Sequence, residues 1–167
     1  FFACSGVFVM MFSLLLLVVI VFSDEEDGES GGNLIYGGVN VSQEVLAHKP
    51  MLEKYAREYG IEEYLNVLLA IIQVESGGTL EDVMQSSESL GLPPNSLSTE
   101  ESIKQGCKYC SELLVAAETK GCDLNSVIQS YNYGGGFLDY VAGRGKKYTF
   151  ELAESHSTRP ASAGMIR

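Results

Sequence analysis

Residues 62–78 read EEYLNVLLAIIQVESGG. Leu65, Val67, Leu68, Leu69, Ile71, Ile72 and Val74 take up most of the circumference of a helix drawn through this run. A helix that is apolar on nearly every side belongs in the middle of a core. Gly77 and Gly78 end it, and the carboxylate nearest that end is Glu75. There it faces the negative pole of the helix dipole and is flanked by apolar surface, and both effects disfavour its charged form. A carboxylic acid still protonated near neutral pH is what protonation of a glycosidic oxygen requires. Taken alone the signal is weak, because a glutamate at a helix end is more often a solvated surface group.

Working outward, the chain continues in helical periods. Ser42 is placed to cap a helix carrying Val45, Leu46, Leu52, Tyr55 and Tyr59, with Pro50 expected to kink or split it and Gly60 to end it. Beyond the central run, residues 79–97 read as an irregular stretch with a Pro-Pro pair. Ser98 and Glu101 then form a capping box for a helix reaching about Lys120, which Gly121 stops. Asp123 caps a helix to about Tyr133, Gly134 to Gly136 break the chain, and two short helices are expected near 137–142 and 149–154. There is no alternating strand run, internal repeat or heptad pattern. The expected fold class is all-α, with a buried central helix.

The first 22 residues carry no charged side chain. At about 1.5 Å per residue such a run is long enough to cross a ~30 Å hydrocarbon core. Residues 1–22 are therefore expected to form a transmembrane anchor. A cleaved signal peptide is the competing reading, disfavoured because no small-x-small site precedes the acidic run that follows. Residues 23–40 read as an acidic, Gly-rich linker, 41–156 as the folded domain and 157–167 as a flexible tail. The formal charge of −11 disfavours nucleic acid as a partner, which needs basic patches.

Of the four cysteines, Cys107 and Cys110 form a CxxC on one helix face. A zinc site needs two more ligands, and His48 and His156 stand alone, so a structural role is favoured over metal or redox chemistry. A disulfide from Cys122 to one of the pair is an alternative that spacing does not settle. No metal or organic cofactor is expected.

Three further stretches add context to Glu75. Gln73-Val74-Glu75-Ser76-Gly77-Gly78 is followed by Asp82-Val83-Met84-Gln85-Ser86-Ser87-Glu88 and then by Ser130-Tyr131-Asn132-Tyr133-Gly134-Gly135-Gly136. In this order they resemble the Glu-Ser, Met-Gln and Tyr-Asn-x-Gly elements of goose-type lysozymes and lytic transglycosylases. Asp82 stands where the broader group has Gly, and the Glu75-to-Gln85 spacing is short for it. Both departures fit the lysozyme-like domain of CwlT-type bacterial cell-wall hydrolases, which the chain resembles over about residues 43–154. The resemblance implies a muramidase that cleaves between N-acetylmuramic acid and N-acetylglucosamine, with Glu75 as the catalytic acid. It also implies substrate contacts at Ser76, Gln85, Ser86, Tyr131, Asn132 and Gly134. Met84 reads as packing beneath the site or as core filling. Gly77 and Gly78 leave room for a substrate to approach.

A second carboxylate that positions water gives hydrolysis with inversion; without one, the muramic acid 6-hydroxyl attacks and a 1,6-anhydro product results. Glu88, Asp82 and Asp139 are the candidates, with Glu88 preferred. Hydrolysis is the favoured outcome, lytic transglycosylation the first alternative, and a non-catalytic wall-glycan-binding domain the second. A toxin or inhibitor sharing the helical fold is the remaining reading. CwlT-type proteins usually carry a peptidase domain as well, but no Cys/His peptidase signature stands in this sequence, so no peptide cleavage is expected from it. The expected partners are peptidoglycan strands and, through residues 1–22, the membrane. The catalytic domain is expected on the cell-wall side.

Overall fold

The structure is a computed structural model that describes residues 33–36 and 39–158. The expected membrane anchor at 1–22, most of the acidic linker and the last nine residues, 159–167, lie outside the described residues. Among the described residues no helix is long and apolar enough to cross a membrane. The chain forms two compact units, divided between Ser111 and Glu112.

The first unit opens with a feature the sequence reading did not expect. Strand β1 (Asn33–Tyr36) pairs antiparallel with β2 (Val39–Ser42), in the register Asn33↔Ser42 to Tyr36↔Val39. The pair is too short for its alternation (Leu34 and Tyr36, Val39 and Val41) to rise above a Gly-rich, acidic background.

Ser42 ends β2 and caps helix α1 (Gln43–Ala47), its Oγ accepting from the Val45 N–H at 3.3 Å. Helix α2 (Lys49–Glu58) follows after His48, with Pro50 in its first turn. There the missing N–H leaves no bond unmade, so the proline starts a new helix rather than bending an old one. Gly60 follows at φ +68. The central run begins as a 3₁₀ turn (Glu62–Tyr64) and becomes α-helical in α3 (Leu65–Glu75). Every side chain from Val67 to Ile72 is buried. Each large aliphatic among them contributes about 1.5–3 kcal/mol of burial free energy. The Gln73 Oε1 accepts from the Ser42 N–H at 2.7 Å, tying the end of β2 to the last turn of α3.

A second 3₁₀ turn (Ser86–Leu90) interrupts the irregular stretch. Helix α4 (Thr99–Lys120) then starts where Ser98 and Glu101 predict, with the Glu101 carboxylate accepting from both the N–H and the Oγ of Ser98. Cys107 and Cys110 are buried along α4, and burial pushes both thiols up to about 12. These two and Cys122 are free thiols. Among the described residues no group of three or more His, Cys, Asp or Glu is placed to hold a metal ion.

The second unit contains the end of α4, α5 (Leu124–Tyr133), α6 (Gly136–Ala142) and α7 (Phe150–Ser157). Asp123 caps α5 through Ser126 and also accepts from the Tyr148 N–H at 3.1 Å, so one carboxylate joins a helix start to the segment before α7. The core here is Phe137, Tyr140, Val141 and Ala153, with Tyr133, Tyr148 and Leu152 packed against it. Helix α7 runs to Ser157, past the end expected near residue 154.

Candidate active site

Glu75 is the last residue of α3 and is half-buried. Burial first, and then the charges of Glu88 and Asp82, push its carboxyl up from the usual 4.5 to about 7. The loop that follows is fixed tightly. The Ser76 Oγ donates to the Val83 carbonyl at 2.7 Å and accepts from the Gly78 N–H at 3.0 Å. It thereby clips the end of α3 to the segment carrying Gln85 and Glu88, and its hydroxyl serves the framework.

Gly78 leaves room for the protein's own backbone, not for a substrate as the sequence reading had it. Gly78 sits at φ +77, and a Cβ there would meet the Glu44 carbonyl carbon and the Val45 nitrogen at 2.7 Å. Its carbonyl is bonded to the His48 Nε2 at 2.9 Å, and the Ser42 Oγ donates to the Gly77 carbonyl at 3.3 Å. The start of α1 and the end of α3 therefore brace each other.

Asp82 is fully buried, and no cation pairs with it among the described residues. Its Oδ1 accepts from the Ser102 Oγ at 2.6 Å and the Ser86 N–H at 3.0 Å, and its Oδ2 from the Ser87 N–H at 3.3 Å. Ser102 also accepts from the Met84 N–H at 3.0 Å. These bonds hold the Met-Gln-Ser-Ser turn in one shape. They also make Asp82 a structural anion and not a base open to water. Met84 is fully buried.

Ser86, read from the sequence as a substrate contact, is buried, and its Oγ donates to the Ser102 carbonyl at 2.9 Å. Gln85 is half-buried in the left-handed region at φ +47. Its Nε2 donates to the Asp82 carbonyl and to the Asn95 Oδ1, both at 2.8 Å. Both donors are thus taken inside the protein, and only the acceptor Oε1 is left for a ligand.

Glu88 is exposed and its carboxylate has no hydrogen-bond or ion-pair partner among the described residues, yet its charge is felt by Glu75. Asp139 belongs to the second unit, where its carboxylate meets the Lys120 Nζ at 2.6 Å. Of the three candidate second carboxylates, Glu88 alone is both uncommitted and electrostatically linked to Glu75.

Glu75, Ser76, Gln85, Ser86 and Glu88 are thus brought together in one unit. Tyr131 and Asn132 lie half-buried in the last turn of α5 in the other unit, followed by Gly134 at φ +82. Ser102, Asn95, Ser42 and His48 took no part in the sequence reading of the site. Their partners stand 10 to 35 residues away, and no spacing pattern marks such contacts.

The Lysozyme-like family matches residues 42–165. The chain belongs to the lysozyme-like family. This lysozyme-like domain is 44% identical over 124 residues to the bifunctional muramidase/DL-endopeptidase CwlT of Bacillus subtilis, covering 74% of the chain and 37% of that protein. It is 39% identical over 118 residues to the uncharacterized membrane protein YocA of the same organism, covering 70% of the chain and 52% of that protein. A crystal structure from Staphylococcus aureus, of a protein similar to a lipoprotein of the NLP/P60 family, matches with a TM-score of 0.69 and 75% identity, over 70% of the chain and 39% of that one. The chain spans about two fifths to a half of the length of these relatives.

Proposed function

We propose that this lysozyme-like domain is a peptidoglycan muramidase that hydrolyses the β-1,4 bond between N-acetylmuramic acid and N-acetylglucosamine. The observation that carries the reading is the place of Glu75 at the end of a buried helix, where burial and the charges of Glu88 and Asp82 push its carboxyl up to about 7. Glu75 gives this proton to the bridging oxygen as the bond from the muramic acid C1 to that oxygen breaks, and positive charge develops on C1 and its ring oxygen. Glu88 takes a proton from a water attacking C1 on the opposite face, so the product is a reducing sugar of inverted configuration. This arrangement calls for carboxyl groups roughly 6.5–9.5 Å apart. Glu75, left ionised, regains a proton from solvent.

Gln85 accepts a hydrogen bond from the sugar through its Oε1. Further substrate contacts are assigned to Tyr131, Asn132 and Gly134 on the likeness of their motif to that of the family. Ser76 and Ser86 act by holding the loop. Residues 1–22 anchor the protein in the membrane, and the catalytic domain works on the cell-wall side. The CwlT likeness and the uncommitted carboxylate of Glu88 support hydrolysis over transglycosylation.

The test is loss of turbidity in a peptidoglycan suspension, compared between the parent protein and Glu75→Gln, with mass spectra of the released muropeptides. Clearing by the parent alone, with reducing-end products, is expected. Equal clearing by Glu75→Gln would overturn the acid assignment. Products made only of anhydro-muropeptides would overturn hydrolysis.

A further inference from the structure

We propose that Asn95 is a positioning residue for substrate recognition: it locks the side-chain amide of Gln85 so that the carbonyl Oε1 is the atom left to accept a hydrogen bond from an acetamido N–H or a hydroxyl of the wall sugar. The inference rests on the reading of Gln85 as a substrate contact.

The geometry is unusual in two ways. Gln85 and Asn95 both have left-handed backbones, at φ +47 and φ +58. Such positions are uncommon for residues other than glycine, and asparagine tolerates them better than glutamine. The two strained residues are joined to each other, the Gln85 Nε2 donating to the Asn95 Oδ1 at 2.8 Å.

An amide nitrogen has two N–H groups. The second goes to the Asp82 carbonyl at 2.8 Å. With both engaged, a flip of the amide would set its oxygen against two other oxygens, so the orientation is fixed chemically. The chain returns to make this contact along a stiff path. The Gly91 N–H donates to the Glu88 carbonyl at 2.9 Å and the Leu92 N–H to the Ser87 carbonyl at 3.1 Å. Pro93 and Pro94 then restrict the backbone up to Asn95. An acceptor held in this way selects ligand groups that donate, and it leaves no N–H free to bind a competing carbonyl.

Variants at Asn95 and Gln85 test this with a soluble oligosaccharide of alternating N-acetylglucosamine and N-acetylmuramic acid. Asn95→Gly keeps the left-handed backbone and removes the amide, whereas Asn95→Asp keeps an acceptor oxygen. Asn95→Gly is expected to raise KM about tenfold, the effect of losing one hydrogen bond of ordinary strength, with kcat within about twofold of the parent. Asn95→Asp is expected to keep KM near the parent value. Combining Asn95→Gly with Gln85→Ala is expected to give the same KM as Gln85→Ala alone, because Asn95 acts through Gln85. A parental KM in Asn95→Gly, a loss in Asn95→Asp equal to that in Asn95→Gly, or additive effects in the double variant would each overturn the proposal. Glu75→Gln run alongside separates the two claims. If it is inactive while Asn95→Gly has a parental KM, only the positioning role fails. If it is fully active, the functional reading itself fails.

Discussion

The carboxyl of Glu75 ionises near pH 7 where an unburied glutamate ionises near 4.5, and this one displacement links burial, charge and chemistry. If the protonated form is the acid, turnover should fall as pH rises through about 7. Substituting Glu88→Gln removes one of the two like charges acting on Glu75, so this alkaline limb should move to lower pH. It should also cost about 10²- to 10⁴-fold in kcat through loss of the base. A pH–rate profile of the variant checks both, and an unmoved limb would detach Glu88 from Glu75.

The same displacement affects stability. The folded protein binds the Glu75 proton more tightly than the unfolded chain does. The stability associated with that proton is therefore complete below about 4.5 and is lost as pH rises through about 7. Glu75→Gln should match the parent in thermal unfolding below that range and exceed it above, by at most about 3 kcal/mol. Glu75 was marked in the sequence by a local cause, a charge at the end of an apolar helix, a signal weak alone and strengthened by the motifs at 82–88 and 130–136. The contributions of Glu88 and Asp82 were not legible, since they depend on where a turn ten residues on comes to lie.

The elements that hold this residue are joined by their ends. Three contacts converge on the end of α3: Ser42 N–H to Gln73, His48 to the Gly78 carbonyl, and Ser76 to the Val83 carbonyl. Gly77 and Gly78 look alike in sequence, yet their surroundings differ. A Cβ at Gly78 would strike the backbone of Glu44 and Val45, whereas the nearest atom to one at Gly77 is the Gln73 Nε2 at 3.9 Å. Gly77→Ala should therefore cost only the left-handed strain, about 1–2 kcal/mol. Gly78→Ala should cost clearly more, and should lower activity because α1 and α3 must separate. Urea unfolding of the two variants, with activity measured below the transition, tests the contrast. In the second unit, Asp123→Ala removes the cap of α5 and the acceptor for the Tyr148 N–H. It should destabilise by about 2 kcal/mol. Helix starts at Ser42, Ser98 and Asp123 were readable because a cap acts on N–H groups two or three residues away. The β1–β2 hairpin was not, because a strand's partner lies outside any such window.

At the scale of the whole chain, a net charge of −11 opposes approach to an anionic wall. Raising ionic strength from about 0.01 M to 0.15 M shortens the Debye length from about 30 Å to about 8 Å and should speed the clearing of sacculi. A rate that falls over this range would argue against repulsion as a limiting factor. What the sequence determined by itself is what acts within one or two helical turns: the buried run ending in Glu75 and the caps and stops around it. What only the tertiary structure decided are the contacts between distant segments. Asp82 became an anchor and not a base, Ser86 was drawn into the interior, Gly78 made room for another helix, and Gln85 lost both donors to its own protein. The reason is physical. Helical periodicity and capping are carried by neighbouring residues, whereas the burial of an anion, the fit of a missing Cβ and the orientation of an amide exist only once the packed chain has brought their partners within bonding distance.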